Sequence, residues 1–132
     1  MVTIKPISQL PSDEKGFTML ELLIVVTLIG LLATIAMPIY HNSIIKAKEA
    51  ALKENLYVMR ESIDKYYADI GSYPPTIIAL VEKKYLRTVP VDPLTGSKDT
   101  WITVNADTGN GIFDVKSGSE RTGTNDIPYS EW

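Results

Sequence analysis

The chain contains no cysteine, which excludes a disulfide framework, a thiolate nucleophile and any zinc site built on sulfur. It has one histidine, His41, so no second imidazole exists for a helical His pair. Charge is sparse as well. Charged residues make up 22% of the 132, and the net charge is −3, too small an excess to mark a nucleic-acid binder or a receptor for acidic partners. There is no Gly-rich phosphate loop, no nucleophile elbow and no motif-supported carboxylate pair. Nothing in the sequence points to an enzyme, and no cofactor is expected from its motifs.

What is present is an apolar run. Residues 17–40, FTMLELLIVVTLIGLLATIAMPIY, carry a single formal charge, Glu21. As a helix this stretch would measure about 36 Å, enough to cross a bilayer core of about 30 Å. One domain of this size cannot surround a helix that is apolar on every face. Membrane insertion follows, with coverage by partner helices as the other outlet. Charge does not set the orientation: Lys5 and Lys15 precede the span, and Lys46, Lys48 and Lys53 follow it.

Beyond residue 40 the helical pattern continues in amphipathic form. Ile45, Leu52, Leu56, Met59, Ile63, Tyr66 and Ile70 form one apolar stripe, with Lys46, Lys48, Lys53, Glu54, Arg60, Glu61 and Asp64 off it. Gly71 is a candidate C-cap and Pro74-Pro75 forbid continuation. The spacing predicts one helix over 17–70, interrupted by a kink at Pro38, whose ring removes a donor and crowds the Thr34 carbonyl. A short helix is predicted over 76–85 and an antiparallel hairpin from 100–104 and 111–115. The loop between them breaks at its prolines. The tail is irregular, with Trp132 as a packing plug. The fold class is α+β, a long N-terminal helix packed on a small C-terminal antiparallel sheet. The stripe's upper half is expected to serve that sheet, and residues 17–45 neighbouring subunits.

Lys15-Gly16-Phe17-Thr18-Met19-Leu20-Glu21 resembles the processing signature of class III signal peptides. These belong to the type IV pilins and the pseudopilins of type II secretion, which the chain is identified with as a family. Glu21 is fifth and Pro38 twenty-second counting from Phe17, as in that family. Tyr73-Pro74, the Tyr85-Leu86 to Gly96 loop, the hairpin and the terminal tryptophan look like the major pseudopilins. The resemblance implies four segments: a leader over 1–16 that is removed, a transmembrane and filament-core helix over 17–40, its amphipathic continuation over 41–72, and a periplasmic head over 73–132. It further implies cleavage between Gly16 and Phe17, N-methylation of Phe17, and a structural filament subunit. The N-terminus would be cytoplasmic, in the bacterial inner membrane. A prepilin peptidase, an assembly platform with its ATPase, and minor pseudopilins are the implied partners, with copies of the chain itself. A conventional cut after Ala36 and an uncut anchor are the competing processing outcomes. A type IV pilin for adhesion, motility or DNA uptake, or a singly anchored periplasmic binding module, are the competing functions.

Four residues are singled out for assembly: Phe17, Glu21, Gly30 and Pro38. An ionised carboxylate in a bilayer is costly; the resemblance implies that Glu21 pairs with the α-amino group that cleavage creates on a neighbour's Phe17. Gly30 permits close helix approach, and with Pro38 it brackets a stretch that by resemblance loses helicity in a filament. The resemblance also implies calcium in the C-terminal loop, for which Ser117, Ser119, Glu120 and Asp126 are the candidates. Calcium takes six to eight oxygens, and the family's aspartate run is thinner here. Tyr40, Tyr57, Tyr66, Tyr67 and Tyr73 are expected to pack rather than form a conducting stack. His41 is expected to be interfacial, and Asp64, Asp69 and Lys83-Lys84 to be solvated.

Overall fold

The structure, a computed structural model, describes Gly16 and residues 18–132. The rest of the expected leader, and Phe17, lie outside the described residues. The chain forms two compact units, Met1–Tyr40 and His41–Trp132.

The first element, α1, is a helix over Met19–Ile70. It begins later than the pattern over 17–70 suggested, because Thr18 caps it. The Thr18 carbonyl already accepts from Leu22 N at 3.1 Å, as a residue at the N-cap does. As the spacing predicts, one helix is continuous across Pro38. A proline in mid-helix deletes a single donor, and the bonds of the turns on either side persist. At the other end Gly71 has φ +81° and its N–H donates to the Tyr67 carbonyl at 2.8 Å. That left-handed position is the reason a glycine ends the helix.

In the first unit every described residue is exposed. Leu20, Leu23, Ile29, Leu32 and Ile39 are each at least 61% exposed, so the span buries none of its apolar surface within its own unit.

In the second unit Leu52, Leu56, Met59, Ile63 and Tyr66 are buried as the stripe predicts, whereas its end members Ile45 and Ile70 stay exposed. They form one core with Leu80, Leu86, Trp101, Ile112, Val115 and Tyr129. The short helix α2 is Ile77–Glu82, capped by Thr76, whose hydroxyl accepts from Ala79 N at 3.2 Å. It stops short of the expected residue 85 because Lys84 turns left-handed at φ +64°. The chain then folds back, so that Tyr85 N and Leu86 N both donate to the Leu80 carbonyl.

Strands β1 (Ile102–Asn105) and β2 (Ile112–Lys116) pair antiparallel, Ile102 opposite Lys116 and Thr103 opposite Val115. Both are shifted from the predicted 100–104 and 111–115. Trp101 lies outside the strand because its ring enters the core while its indole N–H donates to the Pro90 carbonyl at 2.8 Å. Two strands alone are marginal in water, and the buried face of α1 supplies the missing cover. Leu80→Ala, at a fully buried site, is expected to cost about 2–5 kcal/mol, measured by denaturant unfolding followed through Trp101 fluorescence.

Candidate functional site

Helix α1 opens with a reciprocal pair of hydrogen bonds. Thr18 N–H donates to Glu21 Oε2 at 3.3 Å, and Glu21 N–H donates to Thr18 Oγ1 at 3.2 Å. This is a capping box, in which two helix-end donors are satisfied by side chains three residues apart. Glu21 therefore has a partner within its own chain at the exposed start of the span. Gly16, two residues ahead of the cap, adopts φ +85° with nothing within 4 Å of the place a Cβ would take.

Polar groups along the span are satisfied locally. Thr27 Oγ1 donates to the Leu23 carbonyl and Thr34 Oγ1 to the Gly30 carbonyl, both at 2.7 Å. Hydroxyls turned back onto the helix leave no unmet donor facing hydrocarbon. Gly30 has open space around it, so its backbone is available for close approach. Pro38 is exposed on the helix surface. By length and composition the helix is long and apolar enough to cross a membrane once. Of the four assembly residues, Glu21, Gly30 and Pro38 are thus placed on uncovered helix; Phe17 lies outside the described residues.

The second unit contains two carboxylates that the sequence reading did not single out. Glu49 is 7% exposed. Its Oε1 accepts from Thr124 N at 2.7 Å and Tyr129 OH at 2.8 Å, and its Oε2 accepts from Thr124 Oγ1 at 2.7 Å. Burial pushes its pKa up, but the Thr124 amide and hydroxyl, the Tyr129 hydroxyl and the Lys53 charge together hold it below the usual value. Tyr129 is shifted the other way, raised by burial and by the Glu49 carboxylate it donates to. Asp92 is fully buried. Its Oδ1 accepts from Leu94 N at 2.9 Å, and its Oδ2 from Ser117 Oγ at 2.7 Å and Gly118 N at 3.3 Å.

Arg60, which lies off the apolar stripe, joins three parts of the unit. Its Nε donates to Asp114 Oδ1 at 2.7 Å, and its guanidinium also reaches the Val115 carbonyl at 3.0 Å and the Trp132 carbonyl at 2.7 Å. Trp132 is a plug as expected: its ring meets Tyr129 edge-on at 5.1 Å and lies 4.9 Å from Lys53 Nζ. Among the expected solvated acids, Asp69 accepts from Tyr85 OH at 2.8 Å, while Asp64 is exposed. Of the tyrosines, Tyr67 stacks on Tyr73 and Tyr66 meets Tyr85 edge-on, while Tyr40 and Tyr57 are exposed.

Of the calcium candidates, Ser117 and Ser119 are buried and Glu120 and Asp126 exposed. Ser117 Oγ is bonded to Asp92, and Ser119 Oγ accepts from Arg121 N at 3.3 Å. Among the described residues no three His, Cys, Asp or Glu side chains gather where they could hold a metal.

The missed residues left signals. Thr18-x-x-Glu21 is the capping-box pattern. Glu49 stands four residues after Ile45 and three before Leu52, on the stripe itself, where the seven-residue step marks a gap in the apolar series.

Residues 11–37 match the prokaryotic N-terminal methylation motif. The chain is 29% identical to the type II secretion system core protein G of Pseudomonas aeruginosa, over 91% of this chain and 96% of that protein. It is 34% identical to the fimbrial protein EcpC of Eikenella corrodens, over 59% of this chain and about half (54%) of that protein. It is 41% identical to the type IV major fimbrial protein FimA of Dichelobacter nodosus, over 44% of this chain and 37% of that protein. No solved structure matches.

Arg60→Ala removes three bonds at once and leaves Asp114 without its cation. A loss of about 1–3 kcal/mol is expected, with earlier proteolysis of the C-terminal segment as the confirming measurement.

Proposed function

We propose that this chain, a member of the type IV pilin and pseudopilin family, is the major subunit of a type II secretion pseudopilus, cut between Gly16 and Phe17 and assembled from the inner membrane. One observation carries the reading: an apolar helix uncovered by its own unit begins with a carboxylate, in a chain similar to core protein G over 91% of its length. The fimbrial relatives cover 59% and 44% of the chain, which favours the secretion reading over a pilus for adhesion, motility or DNA uptake.

The geometry suggests how such a subunit would work. Before assembly the span rests in lipid, with its threonine hydroxyls folded back on the helix and Glu21 held by Thr18. Cleavage after Gly16 creates an α-amino group at Phe17, one residue before the cap. In a filament the same span leaves lipid for the apolar faces of neighbouring copies, so its transfer cost is offset by packing. A carboxylate left unpaired inside that core would cost several kcal/mol. Pairing Glu21 with the neighbour's new amine removes that cost and fixes the axial register. Placement of the N-terminus in the cytoplasm and the head in the periplasm belongs to the same proposal. So do the partners: a prepilin peptidase, an ATPase-driven platform and minor pseudopilins.

Mass spectrometry of the N-terminal peptide from membrane-extracted protein is expected to find methylated Phe17 as the first residue. A chain starting at Met1 in a host with active prepilin peptidase, or at Met37, would overturn the filament reading. Glu21→Ala is expected to leave the protein membrane-inserted but at least about tenfold poorer in filaments, the equivalent of roughly 1.4 kcal/mol. Normal filaments from that variant would remove Glu21 from the mechanism. Retention of secreted proteins, against loss of a pilus phenotype, separates pseudopilin from pilin.

A further inference from the structure

The calcium ion that the family resemblance implies does not suit the C-terminal loop of this chain. A calcium site needs six to eight oxygens converging as acceptors. Here the buried groups around residues 117–132 converge in the opposite sense, as donors upon carboxylates. Glu49 receives three donors and Asp92 three, which takes up most of the lone pairs a carboxylate offers. Ser117 Oγ, an expected calcium ligand, spends its proton on Asp92. Arg121 places a fixed cation in the same loop, its guanidinium donating to the Leu94 carbonyl at 3.1 Å. Among the described residues no buried side-chain oxygen or nitrogen lacks a partner, so none is left waiting for an ion.

From this geometry we infer that Glu49 and Asp92 together replace a metal, fastening the C-terminal segment so that the chain folds without a divalent cation. The two act at separate points. Asp92 holds the start of the segment at Ser117 and Gly118, and Glu49, from α1, holds Thr124 and Tyr129. Gly118 must be glycine for the first hold, since a Cβ there would run into the Thr100 carbonyl. A cation would be drawn into such a site only by displacing donors already bonded to it. The claim stands apart from the filament reading, because its readouts are those of folding.

Thermal melting of the full chain in detergent micelles, followed by tryptophan fluorescence, tests it in millimolar calcium and in excess chelator. The wild type is expected to melt at the same temperature in both. Glu49→Gln and Asp92→Asn are expected to melt lower by about 5 °C or more and to be equally indifferent to calcium. Thr124→Val, which removes one donor, is a milder variant that keeps the test open where a carboxylate variant fails to fold; a smaller drop is expected. A saturable calcium-dependent rise of about 5 °C or more in the wild type would overturn the inference. So would variants that melt like the wild type.

Acid supplies an independent readout. The Glu49 carboxyl is held below its ordinary 4.5, so its stabilisation is complete above that value and is lost as pH falls through the lower, folded one. Wild type is expected to lose stability over that acid window. Glu49→Gln is expected to start lower at neutral pH and to fall less across it; an unchanged profile counts against the latch.

Discussion

Apolar surface that a chain cannot cover for itself must be covered by something else, and this constraint shapes the whole protein. Around residues 19–40 no side chain is buried, although most are apolar. At about 25 cal/mol for each Å² removed from water, such a surface is stable only against lipid or against other helices of the same kind. Both environments exclude unmet polar groups. That explains the inward turn of the Thr27 and Thr34 hydroxyls and the use of Thr18 to occupy Glu21. The same helix thus suits storage in a membrane and packing in a fibre.

In the second unit the problem reverses. Beyond α1 the head has a two-stranded sheet, one six-residue helix and a three-residue 3-10 turn over Tyr129–Glu131, too little to enclose a core. It is completed by a face of α1, from Leu52 to Tyr66, and by polar fastenings at its edges. Arg60 fixes the helix to β2 and to Trp132, and Glu49 fixes it to the C-terminal segment. Each is a charged group with its partners supplied, the condition on which burial of charge is tolerated.

Much of this could be read from the residues in order. Period predicted the helix and its core face from Leu52 to Tyr66, because an apolar series at steps of three and four has one geometric reading. Gly71 marked the end through its need for a left-handed backbone. The strands were shifted because Trp101 looks like a strand residue, yet its indole is spent on the core and on Pro90. Glu49 left only the gap in the apolar stripe and Asp92 no local signal, because their burial depends on donors 75 and 25 residues away. Arg60 could be read only as lying off the stripe, because its partners Asp114, Val115 and Trp132 are equally remote in sequence.

Gly16 is the residue whose backbone shape reaches furthest. Its φ is +85°, and two residues on Thr18 closes the first turn of the helix. Peptide bonds within a helix are held in a form that a protease must first unwind. In the processing we propose, the cut between residues 16 and 17 falls ahead of α1, whose wound residues are Met19–Ile70, so it asks for no unwinding of the helix. A side chain at Gly16 would disfavour that left-handed turn, and under the proposed processing the boundary between leader and mature chain would lose its definition.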